Sequence, residues 1–120
     1  METQNLLLHI GGRTKASPEN ILLLKADINY TQVFFSDGSS FLSSTNIGVF
    51  EKRLQESGQF FRPNRSYIIN RSFVSEFEEL SKTIKLQNEK VISLSRRRMK
   101  QFYHFANPKT EDQASTDLSW

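Results

Sequence analysis

The sequence predicts a mainly β protein, built of antiparallel sheets with one or two short helices. Its apolar runs are short and turn residues interrupt them often, which is the pattern of strands rather than of a helical bundle. Asp37-Gly38 sits between two alternating runs, the strongest short-range signal for a hairpin. The clearest helical spacing, Ile47, Phe50 and Leu54 on one face, stops near Gly58. A chain of 120 residues, 37% hydrophobic with ten Phe, holds one domain with a modest core.

Taken in order, Leu6 to Ile10 is an expected first strand, ended by Gly11-Gly12, and Ser17-Pro18-Glu19-Asn20 is a turn. Ile21-Leu22-Leu23-Leu24-Lys25-Ala26 reads as a buried strand running into Asp27-Ile28-Asn29-Tyr30. Thr31 to Ser36 and Ser39 to Ser44 flank Asp37-Gly38, read here as a two-residue type I′ turn with both central φ positive. Thr45-Asn46 offers a cap to the short helix. Phe60 to Arg62 and Tyr67 to Ile69 are short strands around a Pro63-Asn64-Arg65-Ser66 turn. Phe73 to Phe77, Thr83 to Gln87 and Lys90 to Leu94 alternate well enough for three more, the last two joined at Asn88-Glu89. Ser95 is a candidate cap for a final helix that turns Met99, Phe102 and Phe105 inward. Residues 1–19 therefore form an N-terminal strand and turn, 20–105 the main domain, and 106–120 an acidic tail expected to be flexible.

Positive charge is concentrated, although the net charge is only +3. Residues 60–100 hold ten Lys/Arg against four Asp/Glu, while Lys109 faces Glu111, Asp112 and Asp117 in the tail. Such clustering suits an anionic partner. The absence of cysteine excludes disulfides, thiolate metal sites and cysteine nucleophiles. With neither a basic n-region nor an apolar stretch of spanning length, the expectation is a cytoplasmic protein with no membrane contact.

Little in the chain supports an enzyme, and neither a cofactor, a metal site nor a catalytic residue is expected. His9 lies in an apolar strand and His104 in the last helix, without ligand spacing, and Glu76, Glu78 and Glu79 read as a solvated face. Gly11-Gly12-Arg13-Thr14-Lys15 lacks the spacing of a phosphate-binding loop and reads as a turn.

The informative residues lie at two basic turns. If Ser95 caps a helix, Arg96, Arg97 and Arg98 crowd its positive end, a placement disfavoured unless a phosphate arrives there. The alternative is that they are simply long, exposed and screened. At the other turn, Arg65 has the fork that fits guanine O6 and N7, Asn64 the amide that fits adenine N6 and N7, and Ser66 a hydroxyl for a phosphate oxygen. Each also has a structural reading: turn geometry for Asn64, backbone satisfaction for Ser66, an acidic partner for Arg65. Arg62 reads as the solvent face of a strand, Tyr67 to Ile69 as core, and Asn70 as a residue that fixes a turn.

In these residues the chain resembles the LytTR family of bacterial DNA-binding domains, over about residues 20–105. The matching elements arrive in order: the Ile-Leu-Leu-Leu strand with Asp27-Ile28-Asn29-Tyr30, Ser36-Asp37-Gly38, the helix ending in Leu54, Phe60-Phe61-Arg62 with Arg65-Ser66-Tyr67 and Asn70, and Ser93-Leu94-Ser95-Arg96-Arg97. The resemblance implies an elongated antiparallel β fold that inserts loops into successive major grooves, binds paired repeats as a dimer and regulates transcription. It places DNA contacts at Tyr30, at Asn64, Arg65 and Ser66, and at Ser95, Arg96 and Arg97. The segment before Ile21 is too short for a receiver domain, so a stand-alone DNA-binding domain is expected.

The sequence thus points to a binder of specific double-stranded DNA. One rival is a single-strand binder that stacks bases on Tyr30, Phe34, Phe41 and Phe61. Another is a protein-interaction domain of the same fold that no longer binds DNA.

Overall fold

Residues 7–106 are described by the computed structural model. Leu6 and residues 107–120 of the acidic tail lie outside them, while Ala106 ends the last helix. Ten strands and two short helices follow in the order β1 (Leu8–Gly11), β2 (Thr14–Ala16), β3 (Ile21–Asp27), β4 (Tyr30–Phe35), β5 (Ser40–Ser43), α1 (Ile47–Leu54), β6 (Phe60–Asn64), β7 (Tyr67–Asn70), β8 (Val74–Glu78), β9 (Thr83–Leu86), β10 (Val91–Ser93) and α2 (Met99–Ala106). They form an antiparallel five-stranded sheet of order β5-β4-β3-β7-β6, a three-stranded sheet β10-β9-β8, and the β1–β2 hairpin. The fold class is the one expected from the sequence.

The central sheet is covered on both faces, and that is why β3 reads as an unbroken apolar run. A bulge between Ile21 and Leu23 re-phases the strand, so Ile21 and Leu24 enter one core while Leu22 and Leu23 enter the other. Next door on β7, Ile68 and Ile69 divide in the same way. The first core also takes Leu8, Ile10, Val33 and the inner face of α1, namely Ile47, Phe50 and Leu54. The second takes Ile84, Leu86, Ile92 and Leu94 from the small sheet and Phe102 and Phe105 from α2.

Helix α1 starts where expected. Asn46 Oδ1 accepts from Val49 N at 3.1 Å, a cap that stabilises by about 1 kcal/mol. Past Leu54 one 3-10 turn runs to Gly58, whose φ of 69° closes the segment in the left-handed region.

Four local expectations change. Thr14–Ala16 is a strand, not a continuation of the Gly11-Gly12 turn; at Gly11 a Cβ would lie 3.1 Å from the Phe41 ring, so the hairpin packs closely on β5. The β4–β5 turn is not type I′. Gly38 alone has positive φ, 94°, and its N–H bonds to Phe35 O at 3.0 Å, which makes a three-residue loop closed by a left-handed glycine. Pro63 and Asn64 belong to β6, where a shift of register between Phe61 and Asn64 accommodates the proline and leaves a turn of Arg65-Ser66. Finally, Ser95 makes no side-chain cap. Arg96–Arg98 form a separate 3-10 turn ahead of α2, so the helix-dipole argument for these arginines does not hold.

Candidate nucleic-acid interface

Antiparallel pairing brings the sequence-predicted residues to one end of the central sheet. There β3 ends and β4 begins, with Asp27 opposite Tyr30, and β6 ends while β7 begins, with Asn64 opposite Tyr67. The two turns are tied where Ala26 N donates to Ser66 O at 2.8 Å. The segment after β10 joins them through Ser95 N, which donates to Pro63 O at 3.0 Å.

Asn64 is the knot of this arrangement. Its Oδ1 accepts from Ser66 N at 2.8 Å and its Nδ2 donates to Ser93 O at 2.7 Å, locking its own turn to the end of β10. Both polar ends of the amide are thereby engaged within the protein, the turn-forming role that the residue type favours.

Two arginines act as braces. Arg62, 17% exposed in its side chain, pairs with Glu51 at 2.7 Å through Nη1 and donates from Nη2 to Arg65 O at 2.7 Å, so it is not a free solvent-face residue. Arg98 donates from Nη1 to Arg62 O at 3.0 Å, holding the 3-10 turn against β6. Neither role is visible in the sequence, because the acceptors are carbonyls and a carboxylate brought near only by the fold.

The remaining cations point to solvent. Arg65, Arg96 and Arg97 are exposed, and among the described residues their guanidinium groups have no protein acceptor. Asn64, Arg65, Ser95, Arg97 and Arg98 line one hollow of about 460 Å³. Arg96 lies beside it. Tyr30 is 48% exposed but stands two strands away on β4, about 10 Å along the same end of the sheet, outside the hollow. Ser66 is half-buried, with its backbone N–H and C=O both engaged.

Such a site offers exposed guanidinium groups on backbone fastened by hydrogen bonds, chemistry suited to an anionic partner. His9 has a role elsewhere: its Nε2 bonds Gly12 O at 2.6 Å and helps close the β1–β2 turn. No helix among the described residues is long and apolar enough to cross a membrane.

A family model of the LytTr DNA-binding domain matches residues 12–106, the greater part of the chain. The chain belongs to the LytTR family of DNA-binding domains. A solved LytTr DNA-binding domain from Bacillus cereus has the same fold, with a TM-score of 0.67 and 18% identity over 84% of this chain and 94% of that one. No curated protein matches the sequence. DNA binding in the service of a regulator is therefore the family's role.

Proposed function

We propose that this LytTR domain binds specific double-stranded DNA by inserting the turns at one end of its central sheet into the major groove, as a transcriptional regulator in the cytoplasm. The observation that carries the reading is the division among the arginines: Arg62 and Arg98 are spent on holding the backbone, whereas Arg65, Arg96 and Arg97 are held out unpaired. Arg96 and Arg97 act as phosphate anchors, and Arg65 reads a base edge beside them. Tyr30 contacts the duplex from the neighbouring turn, with Ser66 and Ser95 at its flanks. Asn64 contributes mainly by positioning, since its amide is already engaged. Binding to paired repeats as a homodimer is the assembly that the family resemblance supports.

Single-strand stacking has little to work with. Phe61 is 9% exposed and lies against Phe102 and Phe105, and Phe34 packs on the same core. Selection of duplexes from a random pool tests the main reading, followed by titration at several salt concentrations. Each neutralised phosphate contributes about −0.9 to the slope of log K against log salt. Arg96→Ala should weaken every duplex and flatten that slope, while Arg65→Ala should also relax preference at one base pair, at a cost of about 1–3 kcal/mol. Uniform weakening by Arg65→Ala would remove it as a reader, and a bound fraction indifferent to salt would remove the phosphate grip altogether.

A further inference from the structure

The tip of the β3–β4 hairpin breaks two local rules in one residue. Ile28 is 90% exposed, and its φ is 58°. Side chains branched at Cβ avoid that left-handed region, and nothing packs on Ile28 to hold it there. Asp27 pairs with Tyr30, so Ile28 and Asn29 form a two-residue turn with positive φ at its first position, a place where glycine is the usual choice. Backbone strain of this kind clusters at sites that contact ligands.

Position identifies the ligand. The Ala26–Ser66 bond sets the level of the Arg65-Ser66 turn against β3. Ile28 lies two residues further along, so the tip reaches about 7 Å beyond that level at the usual rise of a strand. The major groove is about 8.5 Å deep. With the backbone of the arginine-bearing turns at the mouth of the groove, where a long arginine side chain still reaches a base edge, the tip of the β3–β4 hairpin meets the groove floor. A sec-butyl group can neither grip a phosphate nor read a donor or acceptor, and the apolar mark that base pairs show in that groove is the C5 methyl of thymine.

We propose that Ile28 is a specificity residue that reads thymine through its methyl group, and that the strained turn is kept for this contact. The proposal rests on the duplex-binding reading above. Its test replaces thymines one at a time by deoxyuridine in a selected duplex, which removes the methyl and nothing else. For the native domain, one such replacement should cost about fourfold in affinity, the value of one buried methyl-sized group at about 0.8 kcal/mol. Ile28→Gly should bind thymine and uracil duplexes alike and melt about 4–8 °C higher, because the strain is gone. Ile28→Leu, which keeps an apolar tip, should retain part of the discrimination.

Tight binding with no position sensitive to uracil would overturn this proposal and leave the duplex reading standing. Failure to bind any duplex would overturn both. Retained discrimination in Ile28→Gly, or a lower melting point, would show that the side chain serves something else. Loss of two-copy binding on a doubled site, with uracil without effect, would assign Ile28 to contact between protomers instead.

Discussion

At the end of the central sheet far from the proposed interface, the turn joining β4 to β5 meets every local preference; at the near end, the turn joining β3 to β4 does not. Gly38 supplies the left-handed residue in the first, and Asp37 Oδ1 accepts from Ser39 N at 2.9 Å and from Ser39 Oγ at 2.6 Å. Ile28 occupies the left-handed position in the second with nothing behind it. Two asparagines make the same contrast. Asn70, fully buried at the far end, donates to Ile21 O at 2.8 Å and accepts from Ser72 N at 2.9 Å, fastening β7 to the start of β3. Asn64, half-buried at the near end, ties turns together at the surface. One strand thus connects an end where each residue choice serves the fold to an end where some choices oppose it, which is the pattern expected of a functional edge.

That contrast is open to attack by mutation. The largest effect should come from Asn70→Ala, which strands buried backbone groups and should cost about 3 kcal/mol in urea denaturation without changing the DNA affinity of the folded fraction. A cost smaller than that of Asn64→Ala would reverse the assignment of roles. Gly38→Val should follow at about 1–2 kcal/mol, since a Cβ there meets nothing within 4 Å and only the backbone conformation is penalised. Asn64→Ala should cost about 1 kcal/mol of stability, but should also weaken duplex binding measurably by freeing Arg65 from the segment of Arg96. A variant with unchanged affinity would mean that the Asn64–Ser93 link is not needed to hold the turns together.

The smallest effect concerns pH. Hydrogen bonds from the side chain and then the backbone of Ser39 hold the Asp37 carboxyl below the usual carboxylate range. Its folded-state pKa is depressed, so its contribution is present at pH values above the ordinary range and is lost as pH falls through the depressed value. An NMR titration should place its midpoint below the ordinary range for an aspartate, and Ser39→Ala should return it toward that range.

Much of this architecture is legible in the sequence because the strongest signals are local. The Ile-Leu-Leu-Leu run marks a strand buried on both sides, Asn46 and the Ile47-Phe50-Leu54 spacing mark α1, and Asp37-Gly38 marks a reversal even though its turn class differs from the one expected. Thr14–Ala16 escapes such a reading because it has little apolar content and is a strand through pairing with β1 alone. The 3-10 turn at Arg96–Arg98 escapes for a related reason: Arg98 bonding to Arg62 O is a contact across 36 residues. Within the site, residue type alone cannot separate Arg62 from Arg65. One has Glu51 beside it and the other has not, and only the packing of α1 near β6 decides which.

The braces have a thermodynamic consequence for recognition. An arginine on a loose loop must surrender backbone freedom as well as side-chain rotamers when it meets a phosphate, and the backbone share is about 1–2 kcal/mol per residue ordered. Here the turn of Arg65 and the segment of Arg96 and Arg97 are already fastened by Asn64, Arg62, Arg98 and Ser95. Most of that entropy is lost during folding, so association with DNA as proposed would have chiefly the side-chain part left to lose.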